Sequence, residues 1–174
     1  DYSAVNDICF SQWEDNVFSI PMAIASFDRP VMDLTVAYHG SSAIVLFTVD
    51  EDKNLNTADD QEIYRMAYDG TEWTEPVKLT NNQVKDSNGQ IGYLDDEAIA
   101  VWNQNGKLLC TTDPLSASPM VKTALEQTLL QDTFTMIADG EGTLALVGPG
   151  KSGNAQELYA VTYEKAGDVW SCEI

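Results

Sequence analysis

Oxygen-bearing side chains are concentrated in one short segment, from Asp50 to Glu62. Asp50, Asp52 and Asn54 occupy positions one, three and five of a loop of the EF-hand kind, in which alternate side chains converge on a hard cation. Asn56 stands at position seven, where such a loop offers a main-chain carbonyl. This spacing predicts a bound Ca²⁺, because calcium is coordinated by carboxylate, amide and carbonyl oxygens.

The segment departs from a regular EF-hand at two positions. Leu55 replaces the glycine of the sharp turn, and Gln61 replaces the closing glutamate. The rest of the coordination shell would have to come from Asp59, Asp60 or Glu62. We expect such an ion to pin a long loop rather than to perform chemistry. The alternative is a solvated acidic loop that holds no metal, as most charge runs are.

Other motifs of catalytic chemistry are weak in this chain. The run from Gly148 to Ser152 ends like a phosphate-binding loop, but Ala145 stands where the first glycine would be, so we predict a turn there. His39 is the only histidine, so a histidine-based metal site or a Ser-His-Asp triad would depend on one residue. No pair of carboxylates is distinguished from the rest for glycoside hydrolysis, and no catalytic residue is assigned.

The charge balance limits the partners. The 174 residues carry 28 acidic and 9 basic side chains, a formal net charge of −19. This charge repels polyanions, so we expect no nucleic-acid-binding surface and no basic membrane patch. The longest apolar run, Ala43–Phe47, is far shorter than the roughly 20 residues of a membrane-spanning helix, so no membrane insertion is expected.

An internal repeat runs through the chain. The apolar and aromatic pattern of Ile8–Ile24 recurs over Ile63–Leu79 at a constant offset of 55 residues. A second landmark, Ile44–Phe47, recurs as Ile99–Trp102 and as Leu144–Val147. The unit is therefore about 45 residues long, and an insertion after Val49 lengthens one copy.

Each complete unit fits four short strands. In the copy from 33 to 80, alternating residues predict a strand ending at His39, and 43–49, apolar on both faces, predicts a central buried strand. Residues 63–68 predict a third strand, and 73–80 predict a fourth, edge strand because Pro76 cannot donate to a ladder. Four antiparallel strands with this repeat length are typical of a propeller blade.

The predicted fold is therefore all-β, a β-propeller fragment of about three and a half four-stranded antiparallel blades. The predicted divisions are the outer half of a blade at 1–28 and complete blades at 33–80, 86–130 and 132–174. Three and a half blades cannot close a ring, so the partners expected are the remaining blades of the same protein or a second copy. A β-sandwich is the main alternative, and the constant 55-residue offset argues against it.

A family resemblance is carried by the segment Tyr68–Leu79, with the sequence YDGTEWTEPVKL. It resembles the outer hairpin of extracellular bacterial propellers of the sialidase-like and lectin-like kind, and is similar to the sialidase Asp-box. The resemblance implies a structural turn and supports fold rather than activity. The Asp50 loop likewise resembles the DxDxN calcium loops of extracellular propellers. Sialidase chemistry uses three arginines, whereas this chain has only Arg29 and Arg65.

The cysteines and tryptophans are predicted to be mainly structural. Cys9, Cys110 and Cys172 are odd in number and lie in different copies, so we expect buried thiols rather than a disulfide scaffold. The tryptophans could stack on sugar rings, but three of them lie at repeat positions typical of packing between blades. The four are Trp13, Trp73, Trp102 and Trp170.

These observations favour a non-catalytic recognition or scaffold module of a larger bacterial surface protein, extracellular or on the cell surface, with a structural calcium loop. The alternative is a glycan-binding, lectin-like or carbohydrate-active, sialidase-like propeller fragment. The partner would then be a glycan, or otherwise a surface protein.

Overall fold

The computed structural model describes residues 5–126, 133–139, 142–152 and 155–173. Apart from one short 3₁₀ turn, Lys165–Gly167, the regular structure of these residues is entirely β. The prediction of an all-β chain built from four-stranded antiparallel sheets is confirmed. The predicted blade boundaries at residues 1, 130, 132 and 174 lie outside the described residues. No helix among the described residues is long and apolar enough to cross a lipid bilayer.

Four short strands precede the complete sheets, and two of them, β1 and β4, form the first sheet. The four strands are β1 (Asn6–Phe10), β2 (Trp13–Glu14), β3 (Val17–Phe18) and β4 (Met22–Phe27). β1 pairs with β4, and β2 and β3 form a separate hairpin between them. Asp15 and Asn16, at the tip of this hairpin, both have positive φ angles, as a tight primed turn requires.

Three four-stranded antiparallel sheets follow, each with its strands in chain order. The second sheet comprises β5 (Val31–His39), β6 (Ser42–Asp50), β7 (Gln61–Tyr68) and β8 (Val77–Lys78). The third comprises β9 (Asp86–Leu94), β10 (Glu97–Gln104), β11 (Lys107–Thr111) and β12 (Lys122–Leu125). The fourth comprises β13 (Thr135–Ala138), β14 (Thr143–Ser152), β15 (Ala155–Glu164) and β16 (Val169–Glu173).

In the second sheet the second strand lies deepest. Every residue of β6 from Ala43 to Asp50 is buried, as expected for a strand that is apolar on both faces. The insertion appears as the long connection from β6 to β7, whereas β10 reaches β11 through the two-residue turn Asn105–Gly106. Pro76 immediately precedes the short edge strand β8.

Apolar clusters join each sheet to the next. One cluster packs β1 and β4 against β6 and β7 through Ile8, Phe27 and Phe47. The next joins the second sheet to the third and has the fully buried Trp102 at its centre. A third cluster joins the third sheet to the fourth. Successive four-stranded sheets thus pack face to face, which is the arrangement of propeller blades.

The predicted turn at 148–152 is wrong, because these residues belong to β14. Pro149 lies opposite Leu158 of β15. The pairing of β13 with β14 ends at Val147, so beyond that point β14 has a described partner on one side only. A strand bordered on one side tolerates a proline, since one row of its amides needs no partner strand.

Candidate metal centre

The candidate metal centre lies where β6 passes into the loop that leads to β7. Asp50 is the last residue of β6 and is fully buried. Its cross-strand partner is Gln61, the first residue of β7. The two most buried strands of the second sheet therefore fix both ends of the loop.

Three carboxylates of this loop come together. Asp50, Asp52 and Asp60 each offer an oxygen atom, and these atoms all lie within 4.8 Å of one another. The amide of Asp52 donates to Asp60 Oδ2 at 2.6 Å, which holds the two ends of the loop side by side. The amide of Asn54 donates to Asp50 Oδ1 at 3.0 Å and to Asp52 Oδ1 at 2.7 Å. The loop backbone thus orients the three carboxylates.

Two oxygen atoms of this cluster are buried without a hydrogen-bond partner: Asp50 Oδ2 and Asp60 Oδ1. Burial raises the pKa of Asp50, and the nearby carboxylates of Asp60 and Asp52 raise it further, against hydrogen bonds from Gln61 and Asn54. A buried carboxylate beside two others is electrostatically unfavourable unless a cation or a proton compensates it. The three carboxylates thus carry negative charge that a bound cation would compensate.

The size of the cluster suits a hard divalent ion. Calcium binds oxygens at about 2.3–2.6 Å, so two ligands on opposite sides of one ion lie about 5 Å apart. The three carboxylate oxygens lie within 4.8 Å of one another, so their separations fall within that limit. The cluster could hold a metal ion.

Of the other predicted ligands, Asp59 and Glu62 are not among the clustered carboxylates, and Asn54 and Asn56 follow Asp52 in the loop. Asn54 Oδ1 accepts from the amide and from the side chain of Asn56, at 3.3 and 3.1 Å. Asp59 is exposed and is not one of the three clustered carboxylates. Glu62 is paired with Val49 rather than with Asp50, so its side chain lies on the opposite face of the sheet.

On that opposite face Glu62 already has partners. It is almost fully buried, and its carboxylate accepts from Thr80 Oγ1 at 2.5 Å and from the amide of Asn82 at 2.6 Å. Burial raises the pKa of Glu62, although these two hydrogen bonds oppose the rise. Its role in this structure is to join β7 to the segment that follows β8.

Sequence reasoning did not single out Glu51, which anchors the loop. Its carboxylate lies 2.6 Å from Arg29 Nη1 and 3.1 Å from Lys78 Nζ, and it accepts from the Tyr64 hydroxyl at 2.6 Å. Burial alone would raise the pKa of Glu51, but Tyr64, Lys78 and Arg29 bring it below its ordinary value. Lys53 adds an exposed ion pair with Asp28 at 2.8 Å. The loop is thereby tied to the segment after β4.

A second buried carboxylate, Asp86, was also missed. Its Oδ1 accepts from Trp102 Nε1 and from Gln104 Nε2, both at 3.0 Å, and its Oδ2 accepts from Asn82 Nδ2 at 2.6 Å. Burial raises the pKa of Asp86 against these three donors. Because its oxygens are occupied by side-chain donors, Asp86 is structural.

The remaining candidates of the sequence are dispersed. His39 is exposed, lies 3.1 Å from Asp96 and stacks on Tyr93. Cys110 is a buried free thiol whose pKa is raised by burial to about 11, as expected for a structural cysteine. Cys9 is free but exposed, contrary to the expectation, because no described sheet covers its side of β1. The side chain of Cys172 lies outside the described residues.

Comparisons with known proteins bear on the fold. No family model and no curated protein matches the chain. Among solved structures, the chain is similar to the Hadza microbial sialidase Hz136, with a TM-score of 0.66 and 12% identity, over 97% of this chain and 40% of the sialidase. It also aligns with TolB from Acinetobacter baumannii, at a TM-score of 0.41 and 17% identity, over 95% of this chain and 40% of TolB.

The chain thus spans about 40% of the length of each of these two structures. At 12% identity the likeness to the sialidase concerns fold alone. Together with the stacked four-stranded antiparallel sheets, it supports a β-propeller-like all-β fold for this chain.

Proposed function

We propose that this chain is part of a non-catalytic propeller module, used for recognition or scaffolding on the surface of a cell, and that its loop between β6 and β7 binds one structural Ca²⁺. The observation that carries the calcium assignment is the cluster of the fully buried Asp50 with Asp52 and Asp60, in which Asp50 Oδ2 and Asp60 Oδ1 are buried without a hydrogen-bond partner. The other strongly buried carboxylates, Glu62 and Asp86, are engaged in structural hydrogen bonds, which favours a scaffold over an active site.

In this proposal Asp50, Asp52 and Asp60 hold the ion, and Asn54, Asn56 and Asp59 are the nearest sources of further oxygens. Calcium takes about six to eight oxygen ligands, so water or these neighbours would complete the shell. The ion would supply positive charge that offsets the mutual repulsion of the carboxylates. It would thereby stabilise the connection between the two central strands of the second sheet.

Replacing Asp60 with Asn provides the test. Asn keeps one oxygen for the Asp52 amide and turns an NH₂ group towards the neighbouring carboxylates in place of the buried Oδ1. We expect the metal-free Asp60→Asn chain to be at least as stable as wild type, since one repulsive charge is gone. Its calcium affinity should fall roughly tenfold or more, because affinity follows the number of charged ligands.

Calcium titration calorimetry and thermal unfolding, with calcium and after chelation, measure both effects. Asp59→Asn is the matched control, since it removes the same charge from the adjacent, exposed position outside the cluster. It should bind calcium with nearly wild-type affinity. Equal losses in Asp59→Asn and Asp60→Asn would indicate diffuse charge attraction, and no calcium binding by wild type would refute the proposed site.

A second candidate function, glycan binding, is favoured by the hairpin of β2 and β3. Trp13 and Phe18 face each other across it, with ring centroids 4.7 Å apart, and both rings are well exposed at 58% and 66%. Trp102 is fully buried, Trp73 packs against Phe10 and Tyr68, and Trp170 packs on Tyr163. Trp13 is therefore the tryptophan best placed to stack on a sugar ring.

If this hairpin binds glycans, a sugar from a glycan panel will change the tryptophan fluorescence of wild type, and Trp13→Ala will abolish that change. Trp13 is exposed, so its removal should leave the fold intact. Val17→Ala, on the same hairpin, is the control and should retain part of the response. A response that survives in Trp13→Ala, or no response to any glycan, would remove this candidate.

A further inference from the structure

The strands β5 and β9 occupy the same place in consecutive sheets. Each is a nine-residue first strand, and the two are offset by 55 residues. Both carry a positive φ of 51° at their third residue, Asp33 in β5 and Asn88 in β9, and both show a register shift there. A residue of β5 can therefore be compared directly with the residue 55 positions later.

The corresponding faces of these two strands differ in burial. In β9, Gly89 and Ile91 face the preceding sheet, with Gly89 against Ile63 and Leu46 and Ile91 in the same apolar cluster. Tyr93, two residues further along β9, is partly buried against that cluster. The residues of β5 that match Gly89, Ile91 and Tyr93 are Leu34, Val36 and Tyr38, and they are 50%, 49% and 60% exposed. On β9 this face is covered by the preceding strands β5 to β7. On β5 the equivalent face leaves three large apolar side chains exposed.

Strand β1 likewise lacks, among the described residues, a neighbour that its counterpart in the second sheet has. Ile8 and Ile63 match at the 55-residue offset, so β1 corresponds to β7. β7 is paired on both sides, with β6 and β8, whereas β1 pairs among the described residues with β4 alone. A groove that β1 shares with β5 is lined by Ile8, Phe10, Ile24, Leu34, Val36 and Trp73.

We propose that this groove receives two further antiparallel strands of the same polypeptide, lying N-terminal to β1, which complete the first sheet as β5 and β6 complete the second. The strand next to β1 would add by backbone hydrogen bonds to the edge of β1 that has no partner strand among the described residues. Like β6 and β10, it would be apolar on both faces. The strand before it would cover Leu34, Val36 and Tyr38.

Chain order favours this source over other segments. In every complete sheet the second strand leads directly into the third, from β6 to β7, β10 to β11 and β14 to β15. The strand that pairs with β1 is therefore expected just before it. A second copy is a poor donor, because its own inner strands are hydrogen-bonded within their sheets and each copy carries a charge of −19.

The hairpin of β9 and β10 can serve as a donor with known register. Phe47 and Trp102 match in the repeated landmark, and they pair with Tyr64 and Leu109, so these two partners match as well. Tyr64 corresponds to Cys9 at the 55-residue offset. It follows that Lys107, which comes directly after the Asn105–Gly106 turn, corresponds to Asp7.

The test uses an extended chain in which a second copy of residues 86–106 takes the place of residues 1–6, so that it ends directly before Asp7. The original residues 86–106 stay where they are. Hydrogen exchange of the β1 amides should be slowed at least tenfold relative to the 174-residue chain. An extension with the same 21 residues in scrambled order is the control and should give no protection. Equal exchange rates with the ordered and the scrambled extensions would overturn the proposal.

Val36→Asp adds a second readout. The side chain is half exposed, so the substitution should be almost neutral in the 174-residue chain and should remove the protection of β1 in the extended chain. Val169→Asp, which alters a similarly exposed residue of β16, should have little effect in either. Native mass spectrometry completes the test, since a dimer of the 174-residue chain with protected β1 amides would identify a second copy as the occupant and refute the assignment.

Discussion

Replacing Trp102 with Ala is expected to lower the free energy of unfolding by about 3–5 kcal/mol. Trp102 is the largest fully buried side chain, and it lies in the apolar cluster between the second and third sheets. Its loss removes apolar contacts with both sheets and leaves a cavity that the surrounding strands cannot fill. It also withdraws the Nε1–H group that donates to Asp86 Oδ1 at 3.0 Å.

The two contributions can be separated with Trp102→Phe. Phe retains part of the packing but lacks the donor, so the buried Asp86 carboxylate keeps only Gln104 and Asn82. Loss of a hydrogen bond to a buried charged group costs about 1.5–3 kcal/mol. Trp102→Phe should therefore be less destabilised than Trp102→Ala but clearly weaker than wild type.

Urea unfolding followed by circular dichroism measures these differences. Trp13→Ala is the matched control, because Trp13 is exposed and its truncation is expected to change stability by about 0.5 kcal/mol or less. If Trp102→Ala and Trp13→Ala unfolded at the same urea concentration, Trp102 would not be packed between the second and third sheets as described.

Gly148→Ala is expected to destabilise the fourth sheet by about 3 kcal/mol, at the upper end for overpacking. A Cβ atom at this position would lie 2.6 Å from the carbonyl oxygen of Thr133 and 2.8 Å from Phe134 Cβ. Backbone cannot move aside as a flexible side chain can, so β14 would have to separate from the segment that leads into β13. The cost arises from close approach and not from an unusual φ angle at the glycine.

Gly89→Ala is the control for this prediction. Its added Cβ would meet methyl groups of Ile63 at 3.4 Å, which is an ordinary contact. Thermal unfolding of the two variants should show a large decrease in melting temperature for Gly148→Ala and a small change for Gly89→Ala. Similar melting temperatures would mean that β14 does not pass so close to Thr133.

The repeat made much of the fold predictable. The strand at 43–49 could be recognised because a run that is apolar on both faces is typical of an inner strand whose two faces are both covered by neighbouring sheets. The 55-residue offset likewise located β7 and its hairpin turn. The strand at 148–152 could not be recognised, because glycine and proline favour turns in most contexts, and only the pairing with β15 makes them a strand.

The candidate site was predictable only where its signal is local in the sequence. The alternation of Asp50, Asp52 and Asn54 is a local signal that does not depend on the rest of the fold. The face on which Glu62 lies depends instead on cross-strand register, which the local sequence does not specify. The partners of Glu51 and Asp86 come from distant segments, so no spacing in the sequence pointed to Arg29 or Trp102.

Among the described residues β1 has a partner strand on one edge only, and this bears on aggregation. A strand edge without a described partner strand, in the same chain as the exposed Leu34, Val36 and Tyr38, is a template on which another chain can add a strand. At a net charge of −19, electrostatic repulsion opposes such encounters at low ionic strength. Salt shortens the range of that repulsion to about 10 Å at 0.1 M, so the chain handled alone should become more prone to self-association as salt is added.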